Sequence, residues 1–488
     1  MGKKQEMRRV FRQVSLISFT AIIMGTWQWI LLANNQALVD GGRGGLFWSY
    51  IWTLVGYIFI AASLADMAAM APTAGGQYHW VSEFSPRKYQ QMLSYFSGWF
   101  AALCWQAGNC SGLYLCGYIV QALIAIKNQN YGEPTWQGWL LTVALTAFCV
   151  VWNIWGEPLL PHMQNLFMPV YVAVCIATIV VMWVLCPHVD AHTALIEVTN
   201  TGGWNTMGLA LMVGQISSIF ALGGSDAAAH MSEEVRHAGL SVPRAMIWSI
   251  FINSTIGLVA LISFLFACPN INDAVNDPSG FPLVYVLNLA GMPNLTVGLL
   301  FLQLLLLMVS NVAYQASTAR QTFAFARDGG MPFSRWIGHV NSRYHLPVNA
   351  VILTALITIA ISLINFGSSI AFNAILSLAA VAQMATYSIS ITCVLWRRIS
   401  CPHTLPKSQW TLGHYGIPVN ALGAVYSWFS FFWAFWPQAT PVDATSMNYS
   451  SVMFGGVLVF SLIYYLVKAR KSYEGPVTKT EAYLEGAQ

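Results

Sequence analysis

The residues best suited to chemistry in this chain are Gly223-Gly224-Ser225-Asp226, which interrupt an apolar segment. Each glycine disfavours a helix interior by about 1 kcal/mol relative to alanine, and an aspartate near the middle of a bilayer costs roughly 2.5–3.5 kcal/mol on insertion scales. The stretch therefore predicts a broken membrane helix. Carbonyl groups at the end of one half-helix and N–H groups at the start of the next can both bind a charged solute or ion.

Asp226 itself has more than one interpretation. Ser225 and Asp226 are favourable N-cap residues, so the carboxylate could simply cap a second half-helix running to Arg236. It could instead be a fixed counter-charge for a substrate ammonium, or it could carry a coupling proton. His230 follows Asp226 by four residues and shares its helix face, which suits either a proton relay or an ordinary packed histidine.

Composition places these residues in a membrane protein. Of the 488 residues, 56% are hydrophobic and only 8% are charged, which excludes an array of soluble domains. We predict an all-α polytopic membrane protein with twelve transmembrane helices. The predicted spans are about 14–33, 46–70, 92–126, 137–156, 162–186, 208–235 (broken), 244–267, 295–325, 348–365, 369–396, 419–437 and 450–467.

The distribution of basic residues predicts the orientation in the bilayer. Only Arg43 and Lys127 would face outside, and the other twenty of the 22 lysines and arginines would lie at cytoplasmic segments. We expect both termini to be cytoplasmic. The expected domains are an N-terminal segment 1–13, a transporter membrane domain 14–467 and a polar, disordered tail 468–488. The net charge of +4 is spread over short loops, which does not indicate a nucleic-acid partner.

A second interruption lies in the first predicted span. Gly25 follows Met24 and precedes Thr26-Trp27-Gln28, about as deep in its helix as the glycine pair is in the sixth. Glycine-interrupted helices in corresponding positions are typical of inverted repeats with a binding site between them. We therefore predict a five-plus-five inverted repeat, about 14–186 and 208–396, with helices eleven and twelve (419–467) outside it.

The two breaks and their surroundings supply the candidate site residues. The expected substrate-binding residues are Gly25, Thr26, Trp27, Trp105, Asn109, Leu222, Gly223, Gly224, Ser225 and Asp226. N–H groups after the first break suit a carboxylate, and carbonyls of either break suit an ammonium. The expected coupling or gating residues are Asp66, Asp226, His230, Glu233, Glu234 and Arg236. The two glutamates could close the inner side through salt bridges or could be ordinary solvated loop charges.

Other classes of function lack their motifs. The nine cysteines form no CxxC pair and no Cys/His metal spacing. The chain has no P-loop and none of the HExxH, GxSxG or HxxxxD arrangements, so we expect no enzyme activity, no cofactor and no ATP-driven pumping. A channel is disfavoured by the two breaks. A nutrient sensor of the same fold that does not transport is not separated from a transporter by sequence.

Four blocks carry a resemblance to a known family: 63–83 (SLADMAAMAPTAGGQYHWVSE), 98–108 (GWFAALCWQAG), 223–246 (GGSDAAAHMSEEVRHAGLSVPRAM) and 316–336 (ASTARQTFAFARDGGMPFSRW). The chain resembles the fungal amino acid/choline transporter group, GABA-permease-like and choline-permease-like, of the amino acid–polyamine–organocation superfamily. The resemblance implies alternating-access transport of a small amine-bearing solute, with protons and the lipid bilayer of the plasma membrane as the expected partners. Asp66 and Gln28 stand where relatives usually have glutamate.

Overall fold

The computed structural model describes residues 7–128, 130–366, 371–444, 446–473 and 475–476. Helices dominate this part of the chain and occupy all twelve predicted positions. They are α1 (Gln13–Leu32), α2 (Asn35–Met70), α3 (Gln90–Lys127), α4 (Thr135–Trp155), α5 (Leu160–Leu185), α6 (Met207–His230), α7 (Ala238–Phe266), α8 (Pro293–Arg327), α9 (Val348–Ser362), α10 (Ala371–Ser400), α11 (Gly416–Trp433) and α12 (Ser450–Tyr464).

The all-α polytopic fold is confirmed. Within the described ranges, ten helices are long and apolar enough to cross a membrane. The other two, α9 and α11, lie where the ninth and eleventh spans were expected. One boundary differs clearly from the prediction: α2 begins at Asn35 rather than near 46, and it bends at Gly42, which has a φ of 65° that favours glycine.

Both predicted breaks are present. The first half of α1, Gln13–Met24, ends at Gly25, whose left-handed φ of 50° turns the chain before Thr26–Leu32. In α6, helix Ile216–Leu222 gives way to an extended Gly223 and then to Gly224, whose φ is 97°. Two glycines thus adopt backbone conformations that other residues adopt only with strain.

The second half of α6 is shorter than predicted. It was expected to run to Arg236, but the α-helix covers only Ala227–His230 and is followed by a 3₁₀ turn, Ser232–Glu234. The chain then becomes extended and pairs with the N-terminal segment. The Phe11 N–H donates to the Glu234 carbonyl at 3.0 Å, and the Arg236 N–H donates to the Phe11 carbonyl at 3.2 Å. These bonds replace the helical ones and so explain the early end.

Helix packing follows the predicted five-helix offset. In the first half α1 packs on α5 and α7, and in the second half α6 packs on α10 and α2. In the same way α3 packs on α4 and α10, while α8 packs on α9 and α5. Each contact therefore has a counterpart five helices away, as a pseudo-two-fold axis requires. Because five crossings separate the halves, the second half runs in the opposite direction.

The connecting segments divide between two ends of the bundle. At one end Arg43, which is 6% exposed, donates to the Thr193 carbonyl at 3.2 Å and to the Cys268 carbonyl at 2.8 Å. At the other end Phe11 pairs with the segment after α6, and the chain after α12 packs on α3. Both ends of the described chain therefore lie on the same side, as an even number of crossings requires. We call this side the inner end, following the charge-based prediction.

The chain just after α12 differs from the predicted tail. Residues 468–473 were expected to be disordered, but they continue as helix to Ser472. Tyr473 is fully buried, with its hydroxyl 2.6 Å from Ser94 Oγ and its ring 5.6 Å from the ring of Tyr95. A buried aromatic side chain stabilises this docking, and sequence polarity alone did not indicate it.

Candidate functional site

The two helix breaks face each other in the middle of the bundle. A Cβ atom placed on Gly224 would lie 3.8 Å from Met24 Cγ and 4.0 Å from Met24 Cα, next to Gly25. Ser225 and Asp226 are 3% and 2% exposed, so the junction is closed to solvent. The chain thus brings both of its irregular backbone segments to one buried place, the arrangement that membrane transporters use for solute sites.

At the first break, side chains of α7 and α5 form hydrogen bonds around the backbone groups. Asn253 of α7 accepts from the Thr26 N–H at 3.2 Å and donates to the Ala21 carbonyl at 3.0 Å. The Tyr171 hydroxyl donates to Asn253 Oδ1 at 2.8 Å and lies near the Trp27 N–H. The N–H groups that were predicted to receive a carboxylate are therefore covered in this conformation.

At the second break, the backbone is more open. The Gly223 N–H bonds to the Phe220 carbonyl, and the Ala227 N–H bonds to the Gly224 carbonyl. The intervening N–H groups, those of Gly224, Ser225 and Asp226, form no hydrogen bond to the residues that the structure describes. Three successive free N–H groups at the start of a short helix form a site suited to an anion such as a carboxylate.

The Asp226 side chain does not cap the helix. It makes no capping hydrogen bond, and its own backbone is already helical, with φ −71° and ψ −7°. The carboxylate instead accepts from Gln77 Nε2 at 2.7 Å and from the Tyr387 hydroxyl at 2.6 Å, and its Oδ2 lies 3.5 Å from His230 Nε2. The capping interpretation is therefore wrong for this conformation, and the two functional interpretations of Asp226 remain.

A polar network from α10 and α2 surrounds the carboxylate. Gln383 Nε2 donates to the Tyr387 hydroxyl at 3.1 Å, and the Gln383 Oε1 lies 3.3 Å from the Tyr57 hydroxyl. Tyr57 also donates to the Ile219 carbonyl, in the last turn before the break, at 2.7 Å. A Cβ on Gly223 would lie only 2.5 Å from Gln383 Oε1, so this network packs directly on the break.

The aromatic candidates have different surroundings. The Trp105 ring lies 4.9 Å from His230 in a T-shaped arrangement and 4.7 Å from Tyr314, which places it beside the second break. The Trp27 ring lies 5.7 Å from Tyr171 of α5. Asn109 is turned elsewhere, because its Nδ2 donates to Thr358 of α9 at 2.8 Å. The structure therefore brings Trp105, but not Asn109, to the Asp226 cluster.

Ion pairs close the inner end just beyond His230. Arg320 Nε donates to Glu234 Oε1 at 2.8 Å, and both side chains are no more than 1% exposed. Arg327 pairs with Glu233 at 2.6 Å in a position about one fifth exposed on each side. The expected salt bridges of Glu233 and Glu234 with nearby arginines are therefore present, and their role in gating stays a prediction. Arg236 contributes its backbone N–H to the pairing with Phe11.

Asp66 belongs to a separate inner contact. Its Oδ2 accepts from Arg398 of α10, and its Oδ1 accepts from the Leu412 N–H at 3.2 Å. Arg398 Nε also donates to Asn420 of α11 at 2.9 Å. Asp66 thus ties α2 to the α10–α11 connection and is not in contact with the Asp226 cluster through any of these bonds.

The outer end contains a cavity of about 240 Å³. It lies between the end of α1, the outer third of α3 and the outer loops, and its walls include Leu32, Tyr114, Tyr118, Phe281 and Phe372. Glu133 also lines this cavity, and burial together with the nearby Asp277 carboxylate raises the pKa of Glu133 above its usual value. The described residues therefore form a cavity at the outer end and a larger pocket, of about 600 Å³, at the inner end; the lining of the inner pocket includes Met331 and Tyr464 but none of the ion-paired residues.

Comparison with known proteins identifies the family of this chain. A model of the amino acid permease family matches residues 11–459. The chain belongs to the amino acid permease family. It is 28% identical to a Macrophomina phaseolina protein named as an amino acid/polyamine transporter, over 89% of this chain and 97% of that protein. It is 26% identical to amino-acid permease 2 of Neurospora crassa (98% and 88%) and 25% identical to the GABA-specific permease of Saccharomyces cerevisiae (98% and 85%).

Family membership confirms the coarse functional prediction. The permease is a multi-pass membrane protein for amino acids or related amines and not an enzyme. Among the described residues, no group of histidine, cysteine, aspartate or glutamate side chains is arranged to hold a metal ion. The choline-permease part of the resemblance is not tested by these matches, and the roles of individual site residues stay predictions.

Several residues of the permease site were not identified from sequence. They are Gln77, Tyr171, Asn253, Gln383 and Tyr387. Gln77 lies in the connection after α2, and the other four lie in largely apolar helices, where interhelical packing bonds are common. The spacing of Gln383 and Tyr387, four apart on one face of α10, was the one usable signal.

Proposed function

We propose that this permease is a secondary active transporter that moves an amino acid or a related amine by alternating access, coupled to protons, at the plasma membrane. The observation that carries the proposal is the second break. There, three N–H groups without a hydrogen bond to the described residues and a buried carboxylate lie within three consecutive residues, next to the break in α1. A static structural element would not leave such groups unpaired in a bilayer.

The geometry suits a zwitterion or an amine with a second polar group. The N–H groups of Gly224, Ser225 and Asp226 suit a substrate carboxylate, because they are free and near a helix N-terminus. Carbonyls at the end of the preceding half-helix, at Leu222 and Gly223, suit an ammonium. Trp105 offers an aromatic wall beside them, which attracts a cation by about 0.5–2 kcal/mol.

The position of the inner ion pair next to the second break supports alternating access. The inner ion pair involves Glu234, and Phe11 of the N-terminal segment pairs with Val235; Glu234 and Val235 both lie in the segment that immediately follows the break. Opening the inner end therefore requires this segment to move, and its movement also reshapes the solute site. The outer cavity at α1 and α3 is the corresponding approach from the other side.

Uptake of labelled solutes tests the proposal. We expect accumulation of at least one solute by permease-deficient yeast that expresses the chain, in a screen of amino acids, GABA, choline and polyamines, with surface biotinylation to measure protein at the plasma membrane. We expect an imposed inward proton gradient to raise the accumulation. Surface protein without uptake of any solute would contradict the proposal and would favour a non-transporting sensor of the same fold.

A matched pair of variants connects the uptake to the site. Gly223→Leu adds a side chain at a position where a Cβ would lie 2.5 Å from Gln383 Oε1, whereas Gly455 of α12 has no atom within 4 Å of its Cβ position. We expect Gly223→Leu to lose uptake and Gly455→Leu to keep it, at equal surface expression. Equal uptake by both variants would place the solute site elsewhere.

A further inference from the structure

We propose that Asp226 and His230 act as one proton-sharing pair that holds the coupling proton while the inner end is closed. The proposal rests on the proposed transport function and names the group through which proton coupling works. It depends on the orientation of the His230 ring, which two neighbours on opposite sides of the imidazole determine.

The first neighbour fixes the tautomer. His230 Nδ1 lies 2.9 Å from the Ala74 carbonyl oxygen, which can only accept a hydrogen bond. Nδ1 must therefore carry a hydrogen, because a bare ring nitrogen at this distance would place two lone pairs against each other. In a neutral imidazole the other nitrogen, Nε2, is then unprotonated.

The second neighbour requires a further proton. Nε2 lies 3.5 Å from Asp226 Oδ2 and forms no hydrogen bond to the described residues, and the two side chains are 0% and 2% exposed. A bare Nε2 beside an ionised carboxylate is repulsive and leaves an unbalanced charge in the protein interior. One added proton removes both costs, whether it resides on Nε2 as an imidazolium or on Oδ2 as a carboxylic acid. The proton therefore belongs to the pair rather than to either residue.

Among the residues that the structure describes, the other groups around the pair do not supply a balancing positive charge. Tyr387 and Gln77 donate hydrogen bonds to the carboxylate, and three further side chains lie within electrostatic range of it: Tyr57 on α2, Cys104 on α3 and Tyr314 on α8. Of the nearby cations, Arg320 on α8 pairs with Glu234, and Arg244 on α7 lies near Gln13 in an exposed position. The first half of α1 contains no ionisable side chain.

The pair lies on one element, the second half of α6, and is held in place by another, the connection after α2. These two elements must separate when the inner end opens. Asp226 and His230 belong to the second half of α6, which leads directly to the gating residue Glu234. Ala74 and Gln77 belong to the connection after α2, where Gly76 lies so close that a Cβ there would be 2.9 Å from His230 Cε1. Movement of the α6 segment breaks the bond to Ala74, releases the ring, and so frees the proton toward the inner side.

His230→Gln tests the pair. Reconstituted protein is compared for accumulation of a solute against an imposed pH gradient and for exchange of labelled against unlabelled solute at equal pH. With one proton per solute, a gradient of one pH unit drives about tenfold accumulation in the wild type. We expect His230→Gln to keep exchange and to equilibrate the solute without accumulation. His162→Gln, at an exposed histidine on α5, is the control and should accumulate like the wild type.

The outcomes separate this inference from the transport function. Failure of the wild type to accumulate or exchange any solute contradicts the proposed function itself. Wild-type accumulation that follows the proton gradient, together with the same accumulation in His230→Gln, overturns the pair. Should His230→Gln not be recovered as folded protein, Gly76→Ala displaces the ring while both titrating groups remain; we expect lower accumulation with exchange retained, and wild-type accumulation in this variant also overturns the pair.

Discussion

Asn253 of α7 bridges the break in α1, because its side chain accepts from the Thr26 N–H at 3.2 Å and donates to the Ala21 carbonyl at 3.0 Å. The side chain is fully buried. It therefore supplies the acceptor that the Thr26 N–H lacks at the break, and it adds a second donor to the Ala21 carbonyl, which already accepts from the Gly25 N–H at 3.1 Å. A single residue from the second repeat thus stabilises the irregular backbone of the first.

We predict that Asn253→Leu destabilises the protein by about 1–3 kcal/mol, since it leaves the buried Thr26 N–H without its acceptor. The measurement is the thermal stability of detergent-purified protein by size-exclusion chromatography. Thr255→Val, at an exposed position two residues further along the same helix, is the control. An unchanged melting temperature for Asn253→Leu would mean that the break in α1 is held by other contacts.

The Asn253 contacts also mark how far sequence reasoning extends. Both breaks were predicted correctly, because paired or matching glycines disfavour helix within a narrow window. Asn253, Gln77 and Tyr387 could not be assigned in this way. Each lies 149 or more residues from the group that it bonds, as the pairs Gln77–Asp226, Tyr387–Asp226 and Asn253–Thr26 show, so only the packed bundle defines their partners.

Two errors in the expected helix ends have the same cause. The second half of α6 stops at His230 because Phe11 pairs with Val235, far away in the chain. Residues 468–473 are ordered because Tyr473 enters a pocket formed by α3 and α8. In both cases a tertiary contact outweighs local helix propensity and local polarity, which were the only quantities that the sequence offered.

The second prediction concerns Gly25, the glycine at the break in α1. Gly25 has a φ of 50°, which costs a residue with a side chain roughly 1–2 kcal/mol, and its Cβ position is 3.5 Å from the Trp29 ring. We expect Gly25→Leu to abolish uptake while surface expression stays near wild type. Gly456→Leu on α12, where no atom lies within 4 Å of the Cβ position, should retain uptake. Transport by Gly25→Leu would show that α1 does not form part of the solute site.

The third prediction concerns orientation. Arg335 lies at the same end of the bundle as the ion-paired gate and follows α8 closely. We expect a cysteine at position 335, in a background without other cysteines, to resist a membrane-impermeant thiol reagent in intact cells and to react after permeabilisation. A cysteine at exposed Asn272, on the opposite end, should react with the same reagent in intact cells, without permeabilisation. Reaction at position 335 in intact cells would show that the orientation in the membrane is opposite to the predicted one.

The fourth prediction compares the two arginines that close the inner end. Removing one partner of a buried ion pair costs about 3–5 kcal/mol, because the other charge is left in the interior, whereas a partly exposed pair contributes about 0–1 kcal/mol. Arg320 and Glu234 form the buried pair, and Arg327 and Glu233 form the more exposed one. We therefore expect Arg320→Gln to weaken the inner-closed state far more than Arg327→Gln does.

Accessibility from the inner side measures this difference. Position Ser232, 5% exposed, lies in the turn between His230 and Glu234 and should be shielded in the closed state. We expect a cysteine there to react with a thiol reagent in inside-out vesicles much faster in the Arg320→Gln background than in the Arg327→Gln background. Glu234→Gln combined with Arg320→Gln should restore part of the protection, since no charge is then left unpaired within this pair. Equal labelling rates in both single backgrounds would show that the pairing of the N-terminal segment at Phe11, rather than the buried ion pair, holds the inner end closed.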